Sequence, residues 1–173
     1  MDRGVWDPAL LPLISPAFAK LSHKSLSADY HAEGFVIIPQ LVAHEALDTA
    51  RAYAERVFAE RAAAVPAAWL LGLHQPAQPR PQPWIAAIAL DAGLGRLVAS
   101  LLGTPAVALL SSQLFVKEPD GAAVPWHQDG ENSGAASGAS VALWLALSEI
   151  REDGSNGGLS VLPRLHERGA LPT

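Results

Sequence analysis

Apolar positions recur along this chain with two different periods. From residue 44 to residue 64, Leu47, Ala50, Ala54, Val57 and Phe58 return at steps of three and four, which predicts an amphipathic helix. Arg51 with Glu55 and Arg56 with Glu60 form i,i+4 pairs on its wet side, and Pro66 closes it. A second helix is predicted over residues 91–102, ended by Gly103 and Pro105. A shorter one starts at the capping side chain of Ser27, runs through Tyr30 and Ala32, and stops at Gly34. Elsewhere the pattern is strand-like. Phe35-Val36-Ile37-Ile38, stopped by Pro39, reads as a strand, as do residues 109–117, followed by the turn Glu118-Pro119-Asp120-Gly121. Residues 141–147 (VALWLAL) are almost continuously apolar, which predicts a strand buried on both faces with Trp144 in the core. A polar connector over residues 151–157 ends in the turn-forming pair Asn156-Gly157, and residues 159–162 begin another strand. Residues 74–83 (HQPAQPRPQP) and 133–140 read as loops, with His74 in solvent.

Helices first, then short strands separated by glycine and proline turns, predict an α+β chain with helices packed on a sandwich or barrel. The organisation is a loosely docked arm over residues 1–26 followed by one domain over residues 27–173. With 173 residues, 50% hydrophobic and 17% charged, the chain is long enough and apolar enough for a real core. A net charge of -5 provides no basic surface, so no nucleic-acid partner is expected. The absence of cysteine excludes a disulfide scaffold, a thiolate metal site and a cysteine nucleophile. The apolar opening is interrupted by Asp2, Asp7, Pro8, Pro12 and Pro16, unlike a signal peptide, and no run has the length of a membrane span. A cytoplasmic protein without a membrane partner is the expectation.

The candidate chemistry is concentrated in Val124-Pro125-Trp126-His127-Gln128-Asp129-Gly130. In extended chain, residues i and i+2 share a face, so His127 and Asp129 can address one atom. An imidazole nitrogen beside a carboxylate oxygen suits a divalent metal such as iron(II), with open positions left for oxygen chemistry once a third ligand joins. A surface turn with an incidental histidine and acid gives the same three letters. Gln113 and Lys117 lie at even spacing on the preceding strand and share a face with Phe115. Lys117 either aims a compact positive charge at a ligand carboxylate or extends into water at a strand end. Downstream of the pair the one histidine is His166, either a third ligand in a cupin-type site or a strand-end cap. His23, His31 and His44 flank helices without ligand spacing. No dinucleotide, phosphate-loop or nucleophile-elbow pattern is present.

Several ordered motifs together resemble the phytanoyl-CoA dioxygenase family. They are Gln113-Leu-Phe-Val-Lys117-Glu-Pro-Asp-Gly, then Pro125-Trp-His-Gln-Asp129, Leu143-Trp-Leu-Ala-Leu147 and Asn156-Gly-Gly-Leu-Ser-Val-Leu-Pro-Arg-Leu-His166, preceded by Tyr30-His-Ala-Glu-Gly34-Phe-Val-Ile-Ile-Pro39. The resemblance covers roughly residues 28–169. It implies a non-haem iron(II), 2-oxoglutarate-dependent oxygenase on a double-stranded β-helix, a jelly-roll relative. His127 and Asp129 fall on the family's first two iron ligands, and Gln113 and Lys117 on the strand that helps to hold 2-oxoglutarate. The implied reaction is hydroxylation of an unactivated carbon in a small-molecule substrate.

The family continues to a distal histidine and a 2-oxoglutarate-binding arginine, and residue 173 is reached before either. His166 falls on a family segment that is not the distal ligand, and Leu165 stands where that segment has serine. The third metal ligand is therefore assigned to no residue. The resemblance further implies that only the first half of the β-helix is present, as a shortened or N-terminal piece with an incomplete site. The alternative is a non-catalytic remnant or an interaction module that self-associates through exposed strand edges.

Overall fold

The computed structural model describes residues 14–62, 70–74, 83–117, 123–129 and 139–169. Four helices and one two-stranded sheet are present among them. Helix α1 (His23–Glu33) begins at Ser22, not Ser27: the Ser22 hydroxyl accepts from the Ser25 amide at 3.2 Å. Starting there places Leu26 in the core from the first turn. Gly34 ends the helix as its sequence requires, at φ +85° with its amide donating to the Tyr30 carbonyl at 2.8 Å.

Helix α2 (His44–Ala62) turns Ala46, Ala50 and Ala54 to the core, one residue per turn. Leu47 is half-buried beside that row. Arg51 does not pair with Glu55. It meets Asp48 at 3.6 Å and donates from Nε to the Leu147 carbonyl, tying α2 to a segment far downstream. Helices α3 (Pro83–Ala89) and α4 (Ala92–Leu102) follow. Asp91 caps α4 by accepting from the Leu94 amide at 2.8 Å, and Gly103, at φ +62°, closes it. Leu94, Leu97 and Leu101 then form a single apolar stripe on the core.

Strands β1 (Leu70–His74) and β2 (Ser112–Phe115) pair antiparallel, with Leu71 opposite Leu114, Gly72 opposite Gln113, and an irregularity between Gly72 and His74. His74 thus ends a strand instead of standing in a loop. Leu114 is core, whereas Gln113 and Phe115 are exposed, so β2 keeps the two-residue alternation expected of it.

Three expectations are corrected. The chain before residue 27 is not loose where it is described: Ile14 bridges Val42, the Ser15 amide donates to the Leu41 carbonyl at 2.9 Å, and Phe18, only 2% exposed, is a centre of the core. The strands expected at residues 35–38, 141–147 and 159–162 join no ladder among the described residues, and β2 is shorter than the run 109–117. Residues 141–147 are not buried on both faces. Val141, Leu145 and Leu147 lean on the core, while Leu143 is exposed and Trp144 is 43% exposed. Two elements, β1 and α3, were not expected at all. The double-stranded β-helix is accordingly not what the described residues form.

Residues 164–169 pack against the end of α1. Arg164, in the left-handed region at φ 64°, donates its amide to the Glu33 carbonyl at 2.8 Å. Its guanidinium grips the Glu33 carboxylate with two nitrogens, at 2.8 Å from Nη2 and 3.2 Å from Nε. A 3-10 turn, Leu165–Arg168, follows. No helix among the described residues is long and apolar enough to cross a membrane. The expectations for residues 1–13, for the helix end at 63–64 and Pro66, for the proline-rich loop at 75–82, for the turn at 118–121, for Gly130 and for the loop at 133–138 lie outside the described residues.

Candidate functional site

Pro125 removes one amide from the chain and fixes its own φ, and His127 uses the carbonyl that proline leaves free. The His127 Nδ1–H donates to the Pro125 oxygen at 2.8 Å. With Nδ1 engaged there, Nε2 is the ring nitrogen that faces Asp129. The Asp129 Oδ1 lies 3.3 Å from His127 Nε2. The two side chains therefore converge, as their i,i+2 spacing predicts.

The distance and the tautomer carry chemical content together. Two donor atoms each about 2.1 Å from one ion are about 3.0 Å apart at right angles and about 3.4 Å apart at the tetrahedral angle. The observed 3.3 Å lies in that interval. A lone-pair nitrogen facing a carboxylate oxygen is unfavourable unless a proton or a cation stands between them. An Nδ1–H bound to a backbone carbonyl is also the outer partner that metal-ligating histidines ordinarily have. The donor set thus fits a divalent cation. Both side chains are exposed, at 55% for His127 and 70% for Asp129, so solvent reaches the position between them. Trp126, 67% exposed, supplies an apolar surface next to it.

Among the described residues no group of three or more histidine, cysteine, aspartate or glutamate side chains is placed to hold a metal. His166 is occupied elsewhere. Its Nε2–H donates to the His31 carbonyl at 3.0 Å, and its ring covers Gly34 so closely that a Cβ there would collide with Nδ1. It acts as a cap on the end of α1, the role opposite to the ligand one, and this removes the cupin-type site built on it. His44 stands 4.0 Å from Asp48 on the outer face of α2, and among the described residues no third acid or histidine completes a group there.

Gln113 lies on the exposed side of β2 opposite Gly72, and Lys117 follows two residues beyond the strand on the same side. The stem of Lys117 crosses over Gly157. A Cβ on that glycine would come within 2.7 Å of Lys117 Cγ. Gly157 has φ +85° and its amide donates to the Gly154 carbonyl at 3.2 Å. The connector before it is held by Asn156, whose side chain donates to the Glu149 carbonyl at 2.6 Å and accepts from the Arg151 amide at 2.9 Å. Within the same connector the Ser155 amide and hydroxyl bond to Asp153 and hold its carboxyl below the usual range.

Two contributors were not read from the sequence. The Pro125 carbonyl sets the His127 tautomer, for which the proline two residues upstream is the only written signal. Gln128, between the two donors, donates from Nε2 to the Gly169 carbonyl at 3.2 Å, a contact across 41 residues that no local pattern encodes.

Comparison with curated proteins and with solved structures gave no match. A family model does match, over residues 30–172, and the stretch it covers contains β2, the His127–Asp129 pair and the connector under Lys117. The convergent imidazole and carboxylate lie inside a match that spans most of the molecule, and the chain belongs to the phytanoyl-CoA dioxygenase family.

Proposed function

We propose that this chain contributes His127 and Asp129 as two ligands of an iron(II) centre that uses 2-oxoglutarate and oxygen to hydroxylate a small-molecule substrate. The observation that carries the reading is the 3.3 Å approach of His127 Nε2 to Asp129 Oδ1, with Nδ1 already committed to the Pro125 carbonyl. Membership of a dioxygenase family supports the oxidoreductase class and the cosubstrate. Iron(II) held by His127 and Asp129, with 2-oxoglutarate as cosubstrate, would supply the oxygen activation needed to oxidise an unactivated carbon. The jelly-roll architecture of the family is the frame in which this site is proposed to work.

In this reading the protein's residues divide the work. The Pro125 carbonyl holds the imidazole in one tautomer and one orientation. Asp129 offsets part of the cation's charge. Lys117 brings a compact ammonium to a carboxylate of 2-oxoglutarate, and Gln113 adds a neutral donor and acceptor on the same side of β2. Trp126 and Phe115 give the substrate an apolar surface.

A second reading is favoured by one specific observation. Leu143, Trp144, Leu159, Val161 and Leu162 are exposed on segments that join no ladder among the described residues. Such segments pair readily with those of another copy, giving a self-associating, non-catalytic module. One titration separates the readings. Iron(II) added with 2-oxoglutarate under anaerobic conditions should give a visible charge-transfer band that His127→Ala abolishes. No band, together with a mass that rises with concentration in light scattering, would favour the module instead.

A further inference from the structure

We infer that Gln128 is a positioning residue for the His127–Asp129 pair, and that it acts by fastening the pair to the end of α1 through residues 164–169. The inference rests on the metal-site reading above. The path is short and each step is a named contact. Gln128 Nε2 donates to the Gly169 carbonyl at 3.2 Å. Gly169 closes the 3-10 turn Leu165–Arg168, its amide donating to the His166 carbonyl at 3.4 Å. His166 donates to the His31 carbonyl at 3.0 Å, and Arg164 holds Glu33 through its amide and its guanidinium.

The need for such a tether follows from the surroundings. His127 and Asp129 are more than half exposed, and their segment pairs with no strand among the described residues, so little packing fixes the angle between them. The Pro125 contact is local to the same segment and cannot anchor it to the body of the molecule. Gln128 reaches the Gly169 carbonyl, and the residues on either side of it are the two donors. Gln128 bonds a distant carbonyl and not a ligand side chain, so its effect is that of one exposed hydrogen bond on the placing of the pair, roughly three- to tenfold in metal affinity.

The test uses Gln128→Met, which keeps the length and removes the donor, and Arg164→Met, which weakens the far end of the tether by removing the guanidinium grip on Glu33 without touching the pair. Cobalt(II) affinity is read by calorimetry, and the His127 ring is read by nitrogen NMR in metal-free protein at pH 8. Both variants should weaken cobalt(II) three- to tenfold at unchanged helix content, and both should move His127 from the Nδ1-protonated form towards a mixture of tautomers. An unmoved His127 signal in both variants would overturn the tether, whatever the metal does. Absence of cobalt(II) binding in the unaltered protein, with the tautomer still responding to Gln128→Met, would sink the metal reading and leave the tether standing.

Discussion

At the scale of single residues, the environment decides what an identity can do. His127 and His166 are the same side chain in opposite employment: one turns Nε2 towards a carboxylate, the other spends its Nε2–H on a helix-end carbonyl. Gly157 shows the converse, a position where a missing side chain is the function. It combines φ +85° with the stem of Lys117 lying where a Cβ would be. Gly157→Ala should therefore destabilise by about 1–2 kcal/mol from the left-handed backbone alone, with more from displacing Lys117. Urea denaturation measures the loss. If Lys117 serves 2-oxoglutarate as proposed, the same variant should bind that ligand more weakly, as read by calorimetry.

At the scale of elements, what was legible depended on whether the signal was local. Helix α4 was readable because Asp91 and Gly103 bracket an apolar stripe, and α2 because its small residues recur at helical steps. The start of α1 was misplaced because Ser22, Ser25 and Ser27 are all acceptable caps, and the choice among them is made by the burial of Leu26, a tertiary fact. Strand β1 was invisible for a similar reason. Leu70-Leu71-Gly72-Leu73 is short and without clear period, and only pairing with β2, some forty residues on, defines it as a strand. Residues 141–147 failed in the other direction, since an apolar run states a wish for burial that only neighbouring segments can satisfy. At the candidate site the convergence of His127 and Asp129 was legible from i,i+2 spacing, whereas Gln128's carbonyl partner was not. The first described turn also proved to be structural. Phe18→Ala should cost about 3–5 kcal/mol, because it empties a site closed by the core, and a thermal unfolding scan reads this as a lower midpoint.

At the scale of the whole molecule, long-range ties among the described residues hold the later half of the chain to the helices: Arg51 to the Leu147 carbonyl, Arg164 to Glu33, and His166 to the His31 carbonyl. The second can be followed by pH. The Arg164 guanidinium, hydrogen-bonded to Glu33, holds that carboxyl below the usual carboxylate range. A group whose folded value is depressed stabilises the fold at pH above its ordinary value, and that contribution disappears as pH falls through the depressed one. Stability should therefore decline on acidification below the ordinary carboxylate range, and Glu33→Gln should make the decline shallower in that window. Because the pair is exposed, the effect should also shrink in high salt, and chemical denaturation across pH with and without added salt tests both.

The end of α1 also sets an order of events during synthesis. Its closing partners, Arg164 and His166, are 131 and 135 residues downstream of the groups they satisfy. At translation speeds of about 5–20 residues per second, the helix waits on the order of ten seconds before they leave the ribosome. Until then Gly34 serves the Tyr30 carbonyl while those of His31 and Glu33 are left to water, and only late-arriving residues complete the seal.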